Sequence, residues 1–215
     1  MAVNADLAAL QRRHMVDNQL RPRSVTDAAL LSAFDALARE TFVASEYAGM
    51  AYADIALPAA GETERLLLPP IILARLLQSA KIKIGDRALE VGGGSSYGAA
   101  IMALLGARVV ALEDKPILAI AGAPAFERVA GDLAQGAPAF APYDLILVSC
   151  GFEAGLDGLW AQLARNGRLV GIDASAGSAC AVILEKTPQG QSRRVLFDAT
   201  APVAPAFRRA PAFAF

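Results

Sequence analysis

Three consecutive glycines constrain this chain more than any other feature. Gly92, Gly93 and Gly94 follow directly on Arg87 to Val91, which reads as a short buried strand, and Tyr97 to Leu105 then reads as a helix. Strand, glycine turn and helix in that order are the layout of a nucleotide-binding crossover. Glycine lets the backbone turn sharply and approach a ligand closely, and a helix N-terminus offers unpaired N–H groups. Two acids narrow the ligand class. Glu90 stands two residues before Gly92, and Glu113 ends the next apolar strand, Arg108 to Leu112, 21 residues after Gly92. That spacing matches the ~20 residues expected of an acid that hydrogen-bonds ribose hydroxyls. A pyrophosphate at the turn would be repelled by Glu90. A cationic ligand, such as one bearing the ammonium and sulfonium of S-adenosylmethionine, suits it better. The plain alternative is a strand–helix turn that binds nothing, which a glycine triplet alone would not exclude; the two acids weigh against it.

The flanking chain supplies the surroundings such a turn needs. Val3 to Gln19 reads as a helix with a mixed polar face, broken at Arg21-Pro22. Thr26 is the expected N-cap of a second helix, Asp27 to Leu37. Arg39 to Val43 is a connector, and Tyr47 to Pro58, with Tyr52 and Asp54, is a loop. Gly61 to Arg65 is polar, Leu66, Leu67 and Leu68 run into Pro69-Pro70, and Ile71 to Ala80 reads as a helix with proline at its start. Residues 1–80 are expected to form an N-terminal helical cap.

From residue 81 strands and helices alternate. After Arg108 to Leu112 the pattern predicts a short helix at Lys115 to Gly122, limited by Pro116, Gly122 and Pro124, and a weak strand at Glu127 to Ala130. Tyr143 to Ser149 is the strongest strand. A helix at Leu156 to Arg165 and a strand at Arg168 to Ile172 follow, and Cys180 to Glu185 with Arg193 to Phe197 reads as a closing antiparallel pair. Seven strands in this order imply an α/β fold with a doubly wound, mostly parallel sheet over residues 81–198. Residues 199–215 are rich in alanine and proline and read either as an arm docked by Phe207, Phe213 and Phe215 or as a frayed end, the docked arm being preferred.

Composition removes several function classes. A net charge of −1 and a pI near 5.9 give no bulk attraction to nucleic acid or anionic lipid. No apolar run reaches the ~18 residues of a membrane span, and the N-terminal residues have no signal-peptide pattern. Cys150 and Cys180 form neither a metal pattern nor a disulfide framework, so a cytoplasmic setting is expected. The one histidine, His14, sits in a polar helical stretch, so neither a histidine-based triad nor a multi-histidine metal site is expected.

Several segments, in order, resemble the protein-L-isoaspartate O-methyltransferase family of class I S-adenosylmethionine-dependent methyltransferases. Met15 to Leu20 is similar to the family's N-terminal helix signature, Arg39 to Val43 to its "PRE-x-FV" segment, and Ala51 to Asp54 to its "AY-x-D". Leu89 to Gly94 with Tyr97 resembles its cofactor motif, and Pro142 to Asp144, Gln162-Leu163 and Gly167 to Val170 its later strands. The resemblance implies a Rossmann-like methyltransferase fold, S-adenosylmethionine as cofactor and an isoaspartyl protein or peptide as substrate. It implies that Glu90, Gly92, Gly93, Gly94, Ser96 and Tyr97 surround the methionine end of the cofactor, that Glu113 holds the ribose, and that Asp132 faces the adenine amino group. It places catalytic positions at Asp54 and Leu68.

The departures from the family pattern are specific. Ser96 stands where the family usually has a third glycine, and its Cβ is expected to crowd the methionine moiety. Leu66 and Leu68 stand at the threonine and serine of the family's "T-x-S-Q-P" loop, and leucine cannot donate the hydrogen bond that the serine supplies to the substrate carboxylate. Glu113 to Asp132 spans 19 residues, fewer than usual, so that crossover is expected to be reduced. Three readings follow: an isoaspartyl carboxyl methyltransferase, impaired by these changes; a methyltransferase with a more apolar acceptor; and a non-catalytic relative that binds a partner.

Overall fold

Alternation in the sequence becomes alternation in space. The computed structural model describes residues 5–61 and 63–210. Strands β1 (Leu57–Pro58) and β2 (Leu66–Leu67) form a small antiparallel ladder. The main sheet holds β3 (Arg87–Val91), β4 (Arg108–Glu113), β5 (Glu127–Ala130), β6 (Tyr143–Phe152), β7 (Leu163–Asp173), β8 (Cys180–Thr187) and β9 (Gly190–Asp198) in the order β5-β4-β3-β6-β7-β8-β9. The five strands from β5 to β7 are parallel; β8 and β9 close the sheet as antiparallel neighbours, leaving β5 and β9 at the edges. β3 is central, and its residues Ala88 to Val91 are buried, as a strand covered on both faces requires. The order runs outward from β3 to β5 and then returns to β6 on the other side. This reversal opens a crevice beyond the C-terminal ends of β3 and β6, where open α/β sheets bind ligands.

Helices α1 (Ala5–Met15), α2 (Ala28–Ala36), α3 (Pro70–Ala80) and α4 (Tyr97–Leu104) contribute to one apolar layer against the sheet. α5 (Asp157–Ala161) and the C-terminal arm contribute to a second, around Leu89, Ile146, Val148 and Phe207. Phe207 is fully buried, while Phe213 and Phe215 lie outside the described residues. Val3 also lies outside them.

Several local expectations are corrected. The first helix leaves α geometry at Met15, continuing as a π turn over Val16–Leu20 and a 3-10 turn over Arg21–Arg23. Asp27, not Thr26, caps α2 by accepting from the Leu30 N–H at 3.0 Å; the Thr26 N–H is taken by Gln78 instead. The helix expected to reach Arg165 stops at Ala161. The Gln162 carbonyl accepts from the Tyr143 N–H at 2.8 Å, and Leu163 pairs with Tyr143, so β6 has already recruited this stretch as strand. No helix forms between β4 and β5, where a short one was expected at Lys115 to Gly122; Pro116, Gly122 and Pro124 deny the backbone a run of helical bonds.

Candidate functional site

The crevice is shaped first by the glycine turn. Gly92 and Gly94 have φ of 71° and 65°, a left-handed backbone that side chains oppose. A Cβ at Gly92 would lie 2.9 Å from Cys150 Sγ, and one at Gly94 would lie 2.6 Å from Ala59 Cβ. A Cβ at Gly93 would run into the Glu90 carboxylate. Ser96 is left-handed as well, at φ 63° and ψ 42°, and serine bears a backbone cost of ~1 kcal/mol there.

Glu90 faces under this turn, not out toward a ligand. Its two oxygens accept from the Ala99 N–H at 2.8 Å and from the Ser149 hydroxyl at 2.7 Å. Ala99 is in the first turn of α4, whose N-cap residue Ser96 makes no side-chain cap, so Glu90 serves as the cap from a neighbouring strand. Burial pushes the Glu90 carboxyl up to about 7; the bonds from Ser149 and Ala99 restrain the rise. Tyr97 is also structural. Its ring meets Phe42 and Phe34 edge-on, at centroid distances of 5.1 and 6.0 Å, with the buried Arg39 guanidinium 4.9 Å from its centroid.

Glu113 ends β4 at the lip of the turn. Its Oε1 accepts from the Gly94 N–H, and its Oε2 pairs with Arg65 Nε at 3.3 Å. Arg65 also holds Asp114 at 2.6 Å through Nη2. Burial raises the Glu113 carboxyl above the ordinary range, opposed by the Gly94 N–H and the Arg65 charge. Asp132 follows β5, whose last residue pairs with Glu113. It is exposed, and its carboxylate accepts from the Ala134 N–H at 2.8 Å in a local turn.

A cavity of about 200 Å³ occupies the crevice. Its floor is Gly92, Ser149 and Cys150, one wall is Arg65 to Pro69, and the other is the arm from Thr200 to Pro205, with Arg208 beside it. The arm is tied across β6 by Gly151 N–H to the Pro202 carbonyl at 2.9 Å. Leu68 lines this cavity, and its carbonyl accepts from Arg39 Nη2 at 2.9 Å. Asp54 does not line it; its carboxylate accepts from the Ile71 N–H at 3.0 Å and so caps α3. Burial holds the Cys150 thiol up at about 12, so the floor carries no thiolate. A larger open groove of about 490 Å³, beside α2 and α3, shares no residue with the crevice and has Asp27 as its one charged lining residue.

Of the residues expected from the sequence, Gly92 and Leu68 line this cavity and Glu113 borders it through Gly94 and Arg65, while Glu90, Tyr97 and Asp54 support it from behind. It missed Arg65, Ser149 and the arm residues. Arg65 lies in a polar loop without periodicity, 48 residues from its partner Glu113, so no local pattern could have marked it.

A doubly wound sheet with an acid-ended β4 beside a glycine turn defines a Rossmann-like methyltransferase architecture. The sequence profile of the protein-L-isoaspartate(D-aspartate) O-methyltransferase family matches residues 10–191, and this chain belongs to that family. A protein-L-isoaspartate O-methyltransferase of Methylorubrum populi is 41% identical over 167 residues, 74% of this chain and 77% of that protein. One from Koribacter versatilis is 35% identical over 209 residues, 92% of each. Among solved structures, a protein-L-isoaspartate O-methyltransferase superimposes with a TM-score of 0.77 at 24% identity, covering 91% of this chain and 67% of that one. A Plasmodium falciparum structure described as such an enzyme, in complex with S-adenosyl-L-homocysteine, gives a TM-score of 0.72 at 17% identity over 91% of this chain and 98% of that one.

Proposed function

We propose that this protein transfers a methyl group from S-adenosylmethionine to the carboxylate of isoaspartyl residues in damaged proteins, in the cytoplasm. The observation that carries the reading is the Glu113 carboxylate at the end of β4, joined to the Gly94 N–H of the glycine turn at the point where strand order reverses. Glu113 would take the ribose hydroxyls, Gly92 to Gly94 would let the methionine end approach the backbone, and Asp132, beyond β5, would face the adenine. The crevice at about 200 Å³ is smaller than the ~300 Å³ or more usual for ligand pockets, and Arg65 is among its lining residues, so displacing that side chain from Glu113 would enlarge it.

The bound cofactor supplies an already activated methyl group. The chain's own residues orient the two reactants and exclude water. Leu66 to Leu68 and the Thr200 to Pro205 arm form walls around the acceptor space, and the buried Arg39 fixes one wall by holding the Leu68 carbonyl. A carboxylate acceptor is ionised near neutral pH and needs no general base, so positioning is the main contribution. That is why Leu68 matters. Without a hydroxyl donor at this position, isoaspartyl methylation should run about 10²-fold below a complete site, on the ~1.4 kcal/mol per decade rule, and Leu68→Ser should recover part of it. A methyl-transfer assay on an isoaspartyl peptide tests this; ordinary turnover unaffected at position 68 would refute the assigned role. The apolar wall at Leu66 to Leu68 favours a second reading, a different and more apolar acceptor, which an acceptor screen separates from the first.

Calorimetric titration with S-adenosylmethionine tests the cofactor assignment. Losing a charge-assisted hydrogen bond costs about 1.5–3 kcal/mol, so Glu113→Ala should weaken binding roughly tenfold or more. Unchanged affinity, compared with Arg65→Ala present in both proteins so that the Arg65–Glu113 pair is absent, would remove Glu113 from the ribose.

A further inference from the structure

The acid best placed for a ribose is already engaged. Arg65 reaches Glu113 through Nε and Asp114 through Nη2, and its side chain is 12% exposed. The two acids differ: the Glu113 side chain is 3% exposed and the Asp114 side chain 50%. Glu113 has one oxygen on the Gly94 N–H and the other on Arg65. A ribose diol seeking this carboxylate therefore meets the guanidinium first. The backbone beneath is fixed: the Ala59 N–H donates to the Arg65 carbonyl at 3.0 Å, and the Arg65 N–H donates to the Thr63 hydroxyl at 3.1 Å. Only the side chain has to move. Asp114, half in solvent beside Glu113, offers the displaced guanidinium a partner outside the crevice.

We propose that Arg65 is a latch that competes with the cofactor ribose for Glu113, closed on Glu113 and Asp114 together and open on Asp114 alone. This rests on the cofactor reading above and extends it to the regulation of that site. Arg65 directly precedes Leu66 to Leu68, so the same residue that yields to the cofactor begins the acceptor wall. Opening the latch therefore changes the wall only where the Arg65 side chain itself lines the cavity. Cofactor binding is then weaker than the crevice alone would give, because part of the binding free energy is spent in breaking the ion pair.

The test is calorimetric titration of S-adenosylhomocysteine into the wild-type protein, Arg65→Ala and Arg65→Lys, with thermal melting to establish that each is folded. Arg65→Ala should bind about tenfold tighter than wild type, and Arg65→Lys, which keeps a charge without the two-pronged fork, should fall between. Equal or weaker binding by Arg65→Ala overturns the latch while the cofactor reading stands. No binding by any of the three proteins overturns the cofactor reading and the latch with it.

Discussion

Two crossovers leave the middle of the same sheet in opposite condition. Between β3 and β4 the chain is sealed: every residue from Ala88 to Met102 is buried, through the glycine turn and most of α4. Between β4 and β5 none of residues 114–126 is buried, and no helix forms. Both connect parallel neighbours, so sheet geometry does not impose the difference. Side-chain content does. The first crossover runs Tyr97-Gly98-Ala99-Ala100-Ile101-Met102, small and apolar residues that let α4 lie close on the sheet. The second carries Pro116, Gly122 and Pro124, which interrupt a helix, so its apolar residues Ile117, Ile120, Ala123 and Phe126 reach the core only as partly buried contacts. One crossover is a fitted part; the other is a tether.

The sharpest way to break this contrast is to add one methyl group to each. A Cβ at Gly98 would meet the Glu90 carboxylate and lie 2.9 Å from Leu147 Cδ2. Gly98→Ala should cost about 4 kcal/mol, from overpacking and from loss of the Glu90 bonds to α4 and Ser149, measured by urea unfolding. A cost below about 1 kcal/mol would show that the sealed crossover gives way easily.

A second, somewhat smaller effect lies in the pH dependence. Glu90 is held at about 7 against an ordinary 4.5, so the folded state binds its proton more tightly than the unfolded chain does. The associated stability is fully present below the unfolded value and is lost as pH rises through the folded one. The loss from pH 4.5 to 7 should be on the order of 3 kcal/mol. Glu90→Gln, which cannot titrate, should flatten that slope in paired unfolding curves; an unchanged slope would remove Glu90 as its source. The burial-driven rise at Glu113 adds a contribution of the same sign, which both curves retain.

The smallest effect is expected in the tether. Gly122 has a φ of 78° and open space around a Cβ, so Gly122→Ala should cost only the ~1 kcal/mol of a left-handed backbone. A cost near that of Gly98→Ala would mean that the tether is packed as tightly as the helix.

The same contrast explains what the sequence disclosed. Strand, glycine turn and helix from Arg87 to Leu105 were legible because burial on both faces leaves an unbroken apolar signal, and Glu113 because its spacing from Gly92 is set by one crossover. The expected reduction of the β4–β5 connection was legible in its prolines. Side-chain direction was not. Glu90 and Glu113 both sit at strand ends, yet one turns beneath α4 and the other toward the crevice, a choice made by Ser149 and Arg65 from distant parts of the chain. Asp54 reads as a catalytic acid by resemblance, while the structure uses it to cap α3, because Pro69 at the N-cap has no side-chain acceptor to offer.

The two outer strands have a consequence for solubility. An edge strand presents unpaired N–H and C=O groups that invite another chain to add on. Here one edge, β5, is only four residues long and begins Glu127-Arg128. The other, β9, is longer but carries Arg193 and Arg194 in its middle and Asp198 at its end. Lining up a second copy along either edge would bring like charges together or leave too few bonds to hold, so strand-to-strand aggregation of the folded protein is disfavoured at both margins of the sheet.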